Sequence, residues 1–164
     1  MKTIDVSVNG KNVYTAVYND ALIGRIEYPK WYSMNKAIIT LADDSVFNLE
    51  PKGFWQSKQQ LSKGNAVLLD VKNTWKGYSL TKPIDPERAF RFQHQGVFKS
   101  GYALLNYKEE LVLKIEPNFS WKKFNMSYTI TCEDTFGNDE FEQLLVLLSV
   151  HYLRVMQASA SGSA

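Results

Sequence analysis

The run Phe141-Glu-Gln-Leu-Leu-Val-Leu-Leu-Ser-Val-His-Tyr-Leu-Arg-Val-Met-Gln157 constrains the fold more than any other stretch, because a helix built from it has almost no polar face. At about 100° per residue, Leu144, Leu145, Val146, Leu147 and Leu148 already point round the whole circumference, and Val150, Tyr152, Leu153, Val155 and Met156 fill the remaining angles. Only His151 and Arg154 share a polar side, near the C-terminal end. A helix apolar on every side belongs in a protein core or in a bilayer. Spanning a bilayer takes about 20 apolar residues, and this run is shorter and carries His151 and Arg154. The spacing therefore predicts a core helix over 139–157. Asn138-Asp139-Glu140 places a capping residue and carboxylates at its start, where the helix dipole favours them.

Upstream of residue 138 no helical period of useful length is present; the chain reads as short alternating runs broken by turn residues, the pattern of an antiparallel all-β domain. Ile4, Val6 and Val8 oppose Thr3, Asp5 and Ser7, and Asn9-Gly10 then gives a hairpin signal leading into Val13 to Tyr18. Asn19-Asp20 turns the chain into Leu22 to Tyr28, which Pro29 ends by removing a ladder donor. Lys36 to Ala42 and Ser45 to Glu50 form a hairpin across Asp43-Asp44, and residues 52–57 read as a short strand or a turn. Ala66 to Lys72 and Trp75 to Thr81 flank Asn73-Thr74, and Pro83 and Pro86 bracket a loop before the alternation of Arg88 to Gln95. Tyr102 to Tyr107 and Leu111 to Glu116 follow, turning at Lys108 to Glu110. Met126, Tyr128, Ile130 and Cys132 oppose Ser127, Thr129 and Thr131 in the cleanest alternation of all. Roughly eleven or twelve strands result.

An open sheet of that many strands tends to curl or close, and closure removes the edges that invite aggregation. Side chains alone fill a barrel of about eight strands; twelve leave a hole. A helix roughly 10 to 12 Å across and about 25 Å long matches the height of strands of six to eight residues, so the helix fits as a plug. The expected fold is a closed antiparallel β-barrel of about twelve strands around a buried hydrophobic C-terminal helix. It occupies a single domain over 1–157, with the small polar segment 158–164 expected to be a disordered tail.

The terminal Phe141 to Met156 helix following a series of β-hairpins, together with the hairpin Ala37-Ile-Ile-Thr-Leu-Ala-Asp-Asp-Ser-Val-Phe-Asn-Leu49 running on to Gly53-Phe54-Trp55, resembles the tubby C-terminal-like fold. That fold is shared by tubby-like proteins, LURP-one-related proteins and phospholipid scramblases. The resemblance covers roughly residues 3 to 157 and rests on order and pattern. It implies a twelve-stranded barrel around a hydrophobic helix and a module that binds phosphoinositides or associates with membranes. The family's basic lipid pocket has no residue-by-residue match here. The calcium-binding segment and cysteine cluster of a scramblase are missing.

The residues carry no catalytic constellation. His94 and His151 are the available imidazoles; His151 reads as a hydrogen-bonded core residue and His94 as a half-exposed strand end. Cys132, the lone cysteine, behaves as a small buried hydrophobe and excludes an internal disulfide framework. No metal-ligand spacing or Gly-rich phosphate loop is present, so no cofactor is expected. A formal charge of +2 sets up no field that draws the protein to nucleic acid or membrane by charge alone, and no nucleic-acid partner is expected. Contact with an anionic phospholipid or membrane surface would use a local patch. The candidate is Trp121, Lys122 and Lys123 within Ser120-Trp-Lys-Lys-Phe124, where lysines neutralise phosphate and rings rest at an interface; a solvated turn with its rings tucked inward is the favoured alternative. Tyr28-Pro-Lys-Trp-Tyr32 invites the same two readings, with a core-packing corner preferred. The N-terminus has no signal core, which makes a cytoplasmic protein, peripheral to the membrane where it binds lipid, the default. Three function classes follow: a non-enzymatic phospholipid- or phosphoinositide-binding module, a protein-interaction scaffold, and a lipocalin-like carrier of a small apolar ligand, for which Gly53-Phe-Trp55 is a cue. The helix argues against the carrier, since it would occupy the cavity.

Overall fold

The computed structural model describes residues 1–54, 58–95, 101–120 and 125–160. The strands are β1 (Lys2–Asn9), β2 (Val13–Tyr18), β3 (Ala21–Glu27), β4 (Ala37–Leu41), β5 (Val46–Lys52), β6 (Lys58–Lys63), β7 (Ala66–Thr74), β8 (Gly77–Lys82), β9 (Asp85–His94), β10 (Tyr102–Leu105), β11 (Leu111–Ser120) and β12 (Asn125–Cys132), followed by α1 (Glu140–Ala160). Each strand pairs antiparallel with its chain neighbours, and β1 closes the barrel on β12 with Ile4 opposite Ile130 and Lys2 opposite Cys132. Inward positions alternate as the pleat requires: Ile4 and Val6, Phe47 and Leu49, Leu69 and Val71, and Ile130 and Cys132 are all buried.

Twelve strands leave an interior wide enough for a helix, and α1 fills it. Its residues from Leu144 to Leu153 are all at most 2% exposed, which a helix lying on a surface cannot be on every side. Asp139 is the N-cap: its Oδ1 accepts from the Glu142 N–H at 2.8 Å, while Glu142 Oε2 reaches back to accept from the Gly137 and Asn138 N–H groups at 2.8 and 3.2 Å. One otherwise orphaned helix-start donor is thereby satisfied, along with two N–H groups of the segment leading into the helix. The Ser149 hydroxyl, buried in the same core, donates to the Leu145 carbonyl one turn back at 2.8 Å.

Several boundaries depart from the sequence reading. β6 is a strand of its own beyond residues 52–57; among Lys, Gln and Ser its single fully buried apolar residue is Leu61, too little for an alternation signal. The β7–β8 turn falls on Trp75-Lys76 instead of Asn73-Thr74, with Asn73 opposite Tyr78 and Thr74 opposite Gly77. Thr74 Oγ1 donates to the Gly77 carbonyl at 2.8 Å across the tight turn, and Gly77 sits at a φ of 143°. Pro86 lies within β9, near its start, and does not bracket a loop. Met126 is 38% exposed and so leaves the inward row of Tyr128, Ile130 and Cys132. The helix continues to Ala160, so the first residues of the expected tail are helical.

Strand alternation sorts the turns. Those following β1, β3, β5, β7, β9 and β11 lie at one end of the barrel, and those following the even-numbered strands lie toward the other, except that β10 is so short that the turn after it sits part-way along the wall, level with Arg91 and Ser79. The helix starts at the end where β12 finishes and runs to the first end, where His151 meets Tyr28 and Tyr152 stacks on Tyr78 at 4.5 Å between ring centroids.

Candidate functional site

The helix leaves the core through a polar collar. The Tyr28 hydroxyl is 2.8 Å from His151 Nδ1, and both residues are buried. Burial pushes the His151 imidazole down to about 3, with the nearby Arg154 charge adding to the effect, so the ring is neutral at physiological pH. Burial raises the Tyr28 hydroxyl against the opposing pull of Arg154, and raises Tyr128 to about 12. Arg154, the residue that follows the fully buried stretch, lays its guanidinium over the rings of Tyr14 and Tyr28 at 4.3 and 4.8 Å. These groups pack together at the helix exit: a buried neutral imidazole is held by a buried phenol, and the Arg154 charge lies over the neighbouring tyrosine rings.

The loop between β3 and β4 is tied to that collar at both ends. Tyr28 anchors one end through His151. At the other, Gln59 on β6 donates to the Asn35 carbonyl at 3.1 Å and accepts from the Tyr152 hydroxyl at 2.9 Å. Between the anchors the loop exposes Lys30, Trp31 and Tyr32, and Lys36 follows just past the second anchor. Trp31 and Tyr32 are 60% and 68% exposed, so the core-packing corner expected of Tyr28-Pro-Lys-Trp-Tyr32 holds for Tyr28 alone. Lys30, Ser33, Asn35 and Lys36, with Pro29 and Pro51 as walls, line a notch of about 200 Å³.

Beside the notch the outer wall carries a row of like charges. Lys52 on β5 stands opposite Lys58 on β6, and Lys58 stands opposite Lys72 on β7. All three are exposed and outward-facing. Directly opposed side chains in a sheet approach within about 5.5 Å at Cβ, and like charges there destabilise the pair. Among the described residues none of the three has a carboxylate within ion-pair distance. Glu50 and Asp70 occupy the next outward rung down, where Asp70 accepts from the Gln60 amide at 2.8 Å. A row of unpaired lysines at the edge of a barrel, costly to fold, is suited to a polyanion.

Charge is polarised along the barrel. At the helix-exit end the charged side chains in the described turn segments are Lys11, Lys30, Lys36 and Lys76. At the opposite end the turns present Asp20, Asp43 and Asp44, and then Glu133, Asp134 and Asp139 before the helix, whereas the short β10 leaves the β10–β11 turn part-way along the wall, where Glu109 pairs with Arg91 and lines one concavity with Trp75 and Lys76. A near-neutral total therefore conceals a basic end and an acidic end. A second concavity of about 460 Å³ opens at the basic end among Trp75, Lys76, Tyr78, His94, Met156 and Ser159.

The residues singled out in sequence, Trp121, Lys122 and Lys123, lie outside the described residues, as does Trp55. The strands flanking the first group end at this same basic end, with Ser120 opposite Asn125 on the last rung. His94 lies at the end of β9 with its ring 5.0 Å from that of Tyr102, and Cys132 is buried. The lysine row escaped the sequence reading because its members sit on three strands and only register aligns them. Among the described residues no cluster of His, Cys, Asp and Glu has metal-binding geometry, and no helix is long and apolar enough to cross a membrane.

No family model and no curated protein matches this chain. A solved structure of a protein from Arabidopsis thaliana is similar over 92% of this chain and 90% of that one, with a TM-score of 0.56 and 14% identity. That likeness is one of fold. It extends over almost the whole barrel and helix, and it carries no activity or ligand to this chain.

Proposed function

We propose that this chain is a non-enzymatic module of the tubby C-terminal-like class that binds anionic phospholipid, phosphoinositides included, and works at the periphery of a membrane. The observation that carries the reading is the row Lys52, Lys58 and Lys72, aligned by strand register and continued by Lys36 and Lys30 at the notch. Adjacent cations that repel one another in the free protein gain most from a ligand that neutralises them together, and a phosphorylated headgroup does so with several oxygens at once. The closed barrel around an apolar helix supports the family resemblance, and the filled interior removes the cavity that an apolar-ligand carrier would need.

Co-sedimentation with vesicles of phosphatidylcholine, with phosphatidylserine, and with a phosphoinositide tests this. Binding should rise with anionic lipid and fall with salt, and replacing Lys52, Lys58 and Lys72 together by Gln should weaken it by about a hundredfold, at about 1 kcal/mol per lysine. Lys122→Ala with Lys123→Ala tests the segment proposed on sequence grounds. Binding to no vesicle would sink the lipid reading in favour of a protein-interaction scaffold, for which the 91% exposed Ile84 at the acidic end is the supporting observation.

A further inference from the structure

The lysine row explains attraction to anions but not the aromatic residues at the same end. Trp31 and Tyr32 in the β3–β4 turn are 60% and 68% exposed, Phe54 in the β5–β6 turn is 90% exposed, and Trp75 in the β7–β8 turn is 90% exposed. These three turns are neighbours around the rim, so the rings form one arc. Large aromatic side chains presented together to water mark an interaction surface, and Trp and Tyr are the residues that settle at a bilayer's headgroup level.

Trp31 and Trp75 are each paired with a lysine. The ammonium of Lys11 lies over the Trp31 ring at 4.8 Å, and that of Lys76 over the Trp75 ring at 5.0 Å. The described residues of the β1–β2, β3–β4, β5–β6 and β7–β8 turns include no carboxylate, and Glu109, which lines a concavity with Trp75 and Lys76, is ion-paired to Arg91. The β3–β4 turn is braced from beneath by consecutive helix residues, His151 through Tyr28 and Tyr152 through Gln59. Its rings are therefore presented by an ordered loop, which lowers the ordering cost of docking.

From this geometry we infer that the barrel docks end-on, with Trp31, Tyr32, Phe54 and Trp75 inserted into the interface of an anionic bilayer and Lys11, Lys30, Lys36 and Lys76 level with the lipid phosphates. The inference rests on the lipid-binding reading above and adds an orientation: the helix axis stands upright on the membrane and the acidic end faces away. Charge complementarity selects the occupant. A flat anionic surface meets these lysines together, and it repels the carboxylate-bearing turns of the other end least when they point away.

The test uses the full chain with vesicles of phosphatidylcholine and phosphatidylserine, with and without phospholipid brominated near the top of the acyl chains. Bound protein should show quenched tryptophan emission, and the quenched share should fall in the variant carrying Trp31→Phe and Trp75→Phe. Separately, Trp31→Ser and Trp75→Ser should each weaken vesicle partition by about tenfold. Binding of a soluble inositol phosphate and the denaturation midpoint should stay unchanged, because both rings are mostly exposed. Protein that sediments with vesicles while Trp31 and Trp75 remain unquenched would overturn the end-on orientation and leave lipid binding standing. Absence of sedimentation would overturn both. Loss of self-association in the Ser variants, with vesicle binding intact, would assign the aromatic arc to a second copy of this chain and overturn the inference.

Discussion

Gly24 on β3 is the point at which the barrel wall comes against Leu147 of the central helix: a Cβ placed on Gly24 would lie 2.9 Å from Leu147 Cδ1 and 2.8 Å from the Thr40 carbonyl oxygen. The Leu side chain can shift only at the expense of a packed core, and the carbonyl belongs to the β3–β4 ladder, where Gly24 stands opposite Leu41. Gly24→Ala should therefore destabilise the fold by about 1 to 3 kcal/mol, as overpacking does. A denaturant midpoint equal to wild type would mean that the helix does not sit against this wall.

Leu147→Asp probes the same contact with charge. Leu147 is fully buried, and an unpaired carboxyl in that position costs several kcal/mol even after it takes up a proton. That is a large fraction of a domain's net stability. The midpoint should drop steeply, or the protein should fail to accumulate; removing everything from Phe141 onward should leave strands that aggregate.

His151 makes stability depend on pH. Its folded pKa is pushed from 6.5 down to about 3, so the unfolded chain binds the proton more readily than the folded one. The contribution is complete above about pH 6.5 and is lost progressively as pH falls toward 3. Between pH 7 and pH 5 this one residue should remove about 2 kcal/mol, at about 1.4 kcal/mol per pH unit below its unfolded pKa. His151→Gln should lower stability at pH 7 through the lost Tyr28 contact and flatten the slope over that range. An unchanged slope would mean that His151 is not the titrating group.

Lys58 is flanked by a lysine on each side, so Lys58→Gln should raise stability by some 0.2 to 1 kcal/mol while weakening anionic vesicle binding about fivefold. Opposite signs for stability and binding distinguish a functional cluster from an ordinary solvated surface. A variant that loses both, or neither, would take this row out of the site.

The helix and most strands are legible in the chain because their periodicities are strong: ten consecutive buried positions in the helix, and clean alternation in β1 and β12. β6 is not, since a strand that buries one leucine among polar residues looks like a loop until its neighbours are in place. The Trp75-Lys76 turn was hidden by Asn73-Thr74, whose composition suits a turn although pairing with Tyr78 and Gly77 keeps both residues on the ladder. Of the proposed binding surface, only the stretch Tyr28-Pro-Lys-Trp-Tyr32 stands out in the sequence, and its composition suits a packing corner as well. Lys52, Lys58 and Lys72 are spread along the chain, and the exposure of Trp31, Phe54 and Trp75 at one end follows from the closure of the barrel, a property of the whole topology.

The helix that fills the barrel comes after every strand that surrounds it, and its polar anchors reach far back along the chain: Tyr28 and His151 are 123 residues apart, and Gln59 and Tyr152 are 93. During synthesis the wall thus emerges before anything exists to fill it, and the β1–β12 seam cannot form until nearly the whole barrel sequence is available. Such a chain pays its loop-closure entropy ahead of its burial, so folding should be slow and late, with nascent strands exposing their inner faces until the helix arrives. The same residues that define the core then also set the moment at which the inner faces of the strands are covered.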